Sequence, residues 1–160
     1  MSNVIDIART WINTPFIPQA RIKNVGCDCV GLILAVCEEA GIKSLLTNAP
    51  LSMHDDTHYH YYRDSNKLLH KLDDHFPVKW SNTHNNIIEQ IPLLIGNIAL
   101  FHLGFNAYHI AFISEVGQYA NNDERYVRII HSCAKAQIVT EHIICRKWLR
   151  RIIKIFSTNT

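Results

Sequence analysis

What this 160-residue sequence lacks narrows its class before any motif is read. No stretch stays apolar for the roughly 20 residues that a helix needs to cross a bilayer, so membrane insertion is not expected. The start, Met1-Ser2-Asn3-Val4-Ile5-Asp6, has neither a basic n-region nor an apolar h-region. The expectation is a chain made in the cytoplasm without a signal peptide, acting there or delivered to the periplasm or cell wall by another route. Strong charge is missing too: 16 Lys and Arg against 14 Asp and Glu leave a formal +2, well short of the basic footprint of a nucleic-acid binder. The five cysteines are odd in number and without framework spacing, which argues against a disulfide scaffold and for reduced thiols. Zinc motifs are absent. Neither Cys-x-x-Cys nor His-Glu-x-x-His occurs, Cys27-x-Cys29 is one residue too tight, and His58-x-His60 beside Asp55 and Asp56 reads as a polar loop. No metal or other cofactor is expected.

Apolar residues, at 48% of the chain, are plentiful enough for one domain spanning 1–160 to bury a core unaided. The strongest local signal is Gly26-Cys27-Asp28-Cys29-Val30-Gly31-Leu32-Ile33. Val30, Ile33, Leu34 and Cys37 fall at i, i+3, i+4, i+7, and Leu32, Ala35 and Val36 fill the remaining surface, so this is a core helix. Asp28 is suited to the N-cap, and Gly41 to the left-handed residue that closes a helix ending near Ala40. Cys29 then stands in the first turn, where the helix dipole and unpaired N–H groups are expected to lower its pKa. The same N–H groups can hold an oxyanion. Free cysteines are usually small buried hydrophobes. The helix-start position, together with His109 and His131 far along the chain, marks Cys29 as a nucleophile instead.

Elsewhere Val4, Ala8, Trp11 and Ile12 share a helical face, with Ser2 as cap and Thr14-Pro15 as stop. Between about Lys43 and Pro92, only Leu68, Leu69, Leu72 and Phe76 give a helix, capped by Asp64 and ended by Pro77. That segment also holds His54, His58, His60, His70, His75 and His84. After Gly96 the pattern turns to strands: Ile98 to Leu103, His109 to Val116 and Glu124 to His131, with turns at Gly104-Phe105-Asn106 and Gly117 to Asp123. A hairpin centred near Ala120 puts His109 directly across from His131, their Cβ atoms about 4.5–5.5 Å apart. Ala111, Ile113, Val127 and Ile129 share that face, which is expected to pack on the Cys29 helix and carry both histidines to its start. His102 and His142 have no comparable placement. Ala136 to Val139 and Ile152 to Phe156 add strands, and Arg146 to Arg151 form a basic, solvated turn or short helix. The fold class is α+β, a nucleophile helix packed on a central antiparallel sheet.

Several stretches together, Ala8-Arg9-Thr10-Trp11-Ile12-Asn13-Thr14-Pro15-Phe16, Gln19-Ala20, Gly26 to Leu32, Gly96 to Phe101, His109-Ile110-Ala111-Phe112, Ile130-His131-Ser132 and the late Trp148 with its arginines, resemble the NlpC family of papain-like cell-wall peptidases, in particular its short, phage-type members. The resemblance implies a papain-like fold with Cys29 as nucleophile, His109 as base and His131 orienting that base. The implied reaction is hydrolysis, through an acyl-thioester on Cys29, of an amide bond in the peptide stem of bacterial peptidoglycan, such as D-glutamyl–diaminopimelate. Gln19 and Asp28 would border the substrate, and a phage tail or secretion machine would be the delivery partner. Two departures stand out: Phe16 where many members have a tyrosine, and Asn97 where aspartate is common. The same fold with another substrate or acceptor gives an amidase or acyltransferase; without chemistry it gives a phage-tail or wall-binding module. These alternatives stay open.

Overall fold

The computed structural model describes residues 3–51, 66–82, 91–105, 107–120 and 124–158. Ser2, His54, His58, His60, Asp64, His84 and Asn106, all named above, lie outside them. The first helix, α1 (Val4–Arg9), opens on Asn3, whose side chain accepts the Ile5 N–H at 3.1 Å. Asn3, not Ser2, is therefore the cap. The helix is also shorter than its apolar face suggests. The chain turns after Thr10 and reaches Asn13 at φ 72°, and Trp11 is buried from that turn with its indole N–H donating to Glu39 at 2.9 Å.

A small hairpin, β1 (Arg21–Ile22) with β2 (Gly26–Cys27), leads into α2 (Cys29–Glu39). Helix α2 begins and ends where its residues dictate. Asp28 caps it through Gly31 N–H at 2.8 Å. Gly41, at φ 74°, closes it with two reversed bonds, Gly41 N–H to Glu38 and Ile42 N–H to Cys37, each 2.9 Å. Helix α3 (Asn66–His75) follows, ended by Pro77 and sealed by the N–H groups of Leu45 and Leu46 on the carbonyls of His75 and Asp74.

The remaining elements are β3 (Val78–Ser81), β4 (Ile98–Gly104), β5 (Ala107–Gln118), β6 (Arg125–Cys133), β7 (Ile138–Ile144), α4 (Arg146–Leu149) and β8 (Ile152–Phe156). Six strands form one antiparallel sheet in the order β3-β8-β4-β5-β6-β7. On one face Ile98, Leu100, Ile110, Phe112 and Ile130 join Ile5 and Ala8 of α1, Leu32, Ile33 and Val36 of α2, and Leu72 of α3. On the other, Ala99, Phe101, Ala111, Ile113, Val127 and Ile129 pack with Leu93, Leu149 and Ile155, and Trp148 lies against them.

This corrects the expected facing of the sheet. Ala111, Ile113, Val127 and Ile129 point away from α2, and the residues between them cover it. The reason is that Ile110 through Ile113 are all at most 1% exposed; a strand buried on both sides carries no alternation that could choose a face. The register also differs. Gln118 pairs with Arg125 at the tip, and a bulge between Ile113 and Glu115 shifts the ladder so that Phe112 meets Ile130. Continued along the strand, that register sets His131 opposite Ala111, so the two histidines are diagonal neighbours and not a direct pair. They still share one face.

Candidate active site

The loop before α2 is fastened to the helix by backbone and one carboxylate. Asp28 is 6% exposed. Its Oδ1 accepts from Gly31 N–H at 2.8 Å and its Oδ2 from Gln19 N–H at 2.7 Å, while its own N–H donates to the Ala20 carbonyl at 3.3 Å. The two glycines of the motif follow from this closeness. A Cβ on Gly31 would drive into the Ala20 carbonyl oxygen, and one on Gly26 would strike the Ile17 side chain. Asp28 is thus a cap and a latch. Gln19, at φ 61°, is held at the helix entrance, and its Nε2 is buried without a hydrogen-bond partner among the described residues. On the other side of the entrance, Phe16 bridges to Cys27, and the Cys27 carbonyl accepts Ser132 O–H at 2.8 Å. Asn97, buried ahead of β4, accepts Ile113 N–H on its carbonyl at 2.9 Å and serves as a structural post.

Cys29 is the first residue of α2 and is half-buried. Backbone N–H groups of Ile110, Val30 and Cys29 itself point at its sulfur. They do not produce the low pKa expected of a helix start. Burial pushes the thiol up to about 12, the Asp28 carboxylate adds to the rise, and the three N–H groups recover only part of it. The cost of desolvating a thiolate outweighs the helix end.

His109 is opposite Phe101 in the ladder, on the face away from α2. Its Nε2 lies 2.7 Å from Nδ1 of His131, ring centroids 4.8 Å apart and planes at 81°. Trp148 covers both imidazoles, 6.1 Å from His109 and 6.3 Å from His131 by centroid. Phe101 stacks edge-on to Trp148 at 5.3 Å. Burial holds the His109 imidazole down near 4, with the charge of His142 adding to it. Burial, then His109 and His142, hold His131 near 3. In the tautomer whose Nε2–H donates to Nδ1 of His131, the Nδ1 lone pair of His109 is left to act as a base.

A further imidazole, His142, joins this cluster. It faces Ile129 across the β6–β7 ladder, its ring 4.9 Å from that of His131. The signal was a turn at 134–137, which pairs Ile138 with Cys133 and fixes the rest of the hairpin; beginning the strand at Ala136 concealed it.

The sulfur sits against the N–H of Ile110, and the residue before it in β5, His109, carries its ring on the face away from α2. Among the described residues no hydrogen bond joins the two side chains directly, and no group of three or more His, Cys, Asp or Glu converges to hold a metal ion. No described helix is long and apolar enough to cross a membrane. No family model, no curated protein and no solved structure matches the chain.

Proposed function

We propose that the protein is a cysteine endopeptidase of the NlpC kind, papain-like in fold, which hydrolyses an amide bond in the peptide stem of bacterial peptidoglycan. One observation carries this reading. A capped helix start sets Cys29 against β5 at the residue after His109, whose ring is bonded to His131 on the next strand.

Thiol and imidazole both favour their neutral forms here, so the resting pair is Cys–SH and neutral His109. As Sγ attacks the carbonyl carbon, its proton passes to Nδ1 of His109, a step for which the ring has to come round from the face away from α2 toward the sulfur; that transfer leaves the net charge of the site unchanged. His109 then returns the proton to the amine nitrogen as the C–N bond breaks, leaving an acyl-thioester on Cys29. Water attacks the thioester, gives one proton to His109 and releases the acid, and the proton goes back to sulfur. His131 keeps His109 in the tautomer that leaves Nδ1 free.

The test is incubation of wild type and Cys29→Ala with purified peptidoglycan fragments, read by mass spectrometry. A stem peptide cut by wild type alone supports the reading and identifies the scissile bond. If neither protein cuts and both bind the fragments equally, the wall-binding module replaces it.

A further inference from the structure

We propose that the end of the sheet carrying the β4–β5 turn is a seat for an anionic lipid surface, with Phe105 entering the headgroup boundary between cations on either side. The seat goes beyond the hydrolysis proposed for Cys29 and does not depend on it. Phe105 is fully exposed, and a single apolar side chain in water needs no explanation. Its backbone does. Gly104 and Phe105 both stand in the left-handed region, at φ 98° and 46°. Glycine takes that conformation freely, whereas a bulky aromatic residue takes it rarely and at a cost. Nothing in the fold offsets that cost, because the ring is left in water. A strained residue with an unburied ring at a hairpin tip is a side chain held out for another surface to bury.

The charge around the tip indicates which surface. Strands β8, β4, β5, β6 and β7 are successive neighbours, so three connections lie at this end of the sheet with the β4–β5 turn in the middle. On one side Arg150 and Arg151 lead into β8, and the Arg151 carbonyl accepts the His102 N–H at 2.9 Å, three residues from Phe105. On the other, the turn between β6 and β7 exposes Lys135. Lys147 is exposed on the segment that Trp148 and Leu149 fix to the sheet. None of these four cations forms an ion pair among the described residues. Acids are scarce here. There is none from Ile91 to Ser114, and from Arg125 to Thr160 eight Lys and Arg stand against Glu141 alone, itself paired with Arg9 at 3.1 Å. A nucleic-acid strand is held in a basic groove by successive stacking rings. One ring at a projecting apex, with cations set back on both flanks, instead suits a flat anionic surface that the ring can enter.

The experiment is co-sedimentation of the full chain with vesicles of phosphatidylcholine, with and without phosphatidylglycerol, alongside urea denaturation. Wild type is expected to sediment with the anionic vesicles alone and to be released by high salt. Phe105→Asn should bind about tenfold more weakly, as for loss of one buried ring, while its urea midpoint stays or rises, because asparagine suits the left-handed turn. Phe105→Trp should restore binding. The double variant Lys147→Gln/Arg150→Gln should also bind about tenfold more weakly or worse. A wild type that ignores anionic vesicles, including one that binds single-stranded DNA or wall polysaccharide instead, overturns the seat. So does Phe105→Asn binding as wild type does, since charge alone would then suffice. A lowered urea midpoint in Phe105→Asn overturns it as well, because the ring would then serve the fold.

Discussion

His109 and His131 sit edge to face with Nε2 and Nδ1 2.7 Å apart, so the second imidazole touches the proposed base, His109, through its ring nitrogen. An orienting group and a reacting group should fail differently when removed. Cys29→Ala and His109→Ala are expected to abolish nearly all hydrolysis, the latter by at least about 10³-fold, within the range of general acid–base contributions. His131→Ala should retain a measurable remainder, with its loss mainly in kcat. Equal residual activity in all three variants would contradict these roles.

The two imidazoles also make stability depend on pH. Both are held below the usual 6.5, near 4 and near 3. Their neutral burial contributes stability that is fully present above pH 6.5. It is lost as pH falls toward 4, because the unfolded chain takes up protons that the folded one refuses. Urea midpoints measured at pH 7.5 and pH 5, where carboxylates titrate little, should fall on the acid side. A midpoint that rises between 7.5 and 5 would refute the neutral, buried pair.

His142 lies 4.9 Å from His131 by ring centroid and opposes a charge on both inner imidazoles. His142→Gln should therefore raise the pKa values of His109 and His131, read from the imidazole carbon-bound protons by NMR titration. Unchanged titration curves would mean that the outer ring is electrostatically silent.

Gly31 offers a test of the entrance that is independent of chemistry. In an open helix, Gly→Ala gains about 1 kcal/mol. Here the added Cβ meets the Ala20 carbonyl, and Gly31→Ala is expected to lose about 1–3 kcal/mol in chemical denaturation, as overpacking does. Asp28→Ala should lose about 1–2 kcal/mol as a cap, and more because the Gln19 N–H is orphaned as well. A stabilised Gly31→Ala would show that the loop does not lie against the helix.

How much of this was legible in the sequence depended on how local each signal is. Asp28, Gly41 and the apolar spacing between them define α2 within a dozen residues, and the structure ends the helix there. The sheet order and the face presented by His109 were beyond reach. Ile110 to Ile113 are buried on both sides, and the bulge after Ile113 displaces the pairing without leaving a mark such as glycine. The alternation still placed His109 and His131 on one face, because a shift of two residues preserves it. The elevated thiol pKa was missed for another reason: a helix start is visible in the sequence, whereas the enclosure of Cys29 by β5 is not. His142 finds its place only once β6 and β7 are aligned.

Strand β8 arrives last among the described strands, yet it lies inside the sheet, between β3 and β4. On a ribosome, Cys29, His109 and His131 all emerge before it. Until Ile152–Phe156 is threaded into place, β4 keeps an open edge and the cores on both faces lack Ile155 and Phe156. A translation product halted before that strand would contain every residue assigned to chemistry and still have no finished sheet to hold them. Such a fragment meets the cell as an aggregation-prone folding intermediate rather than as a finished domain.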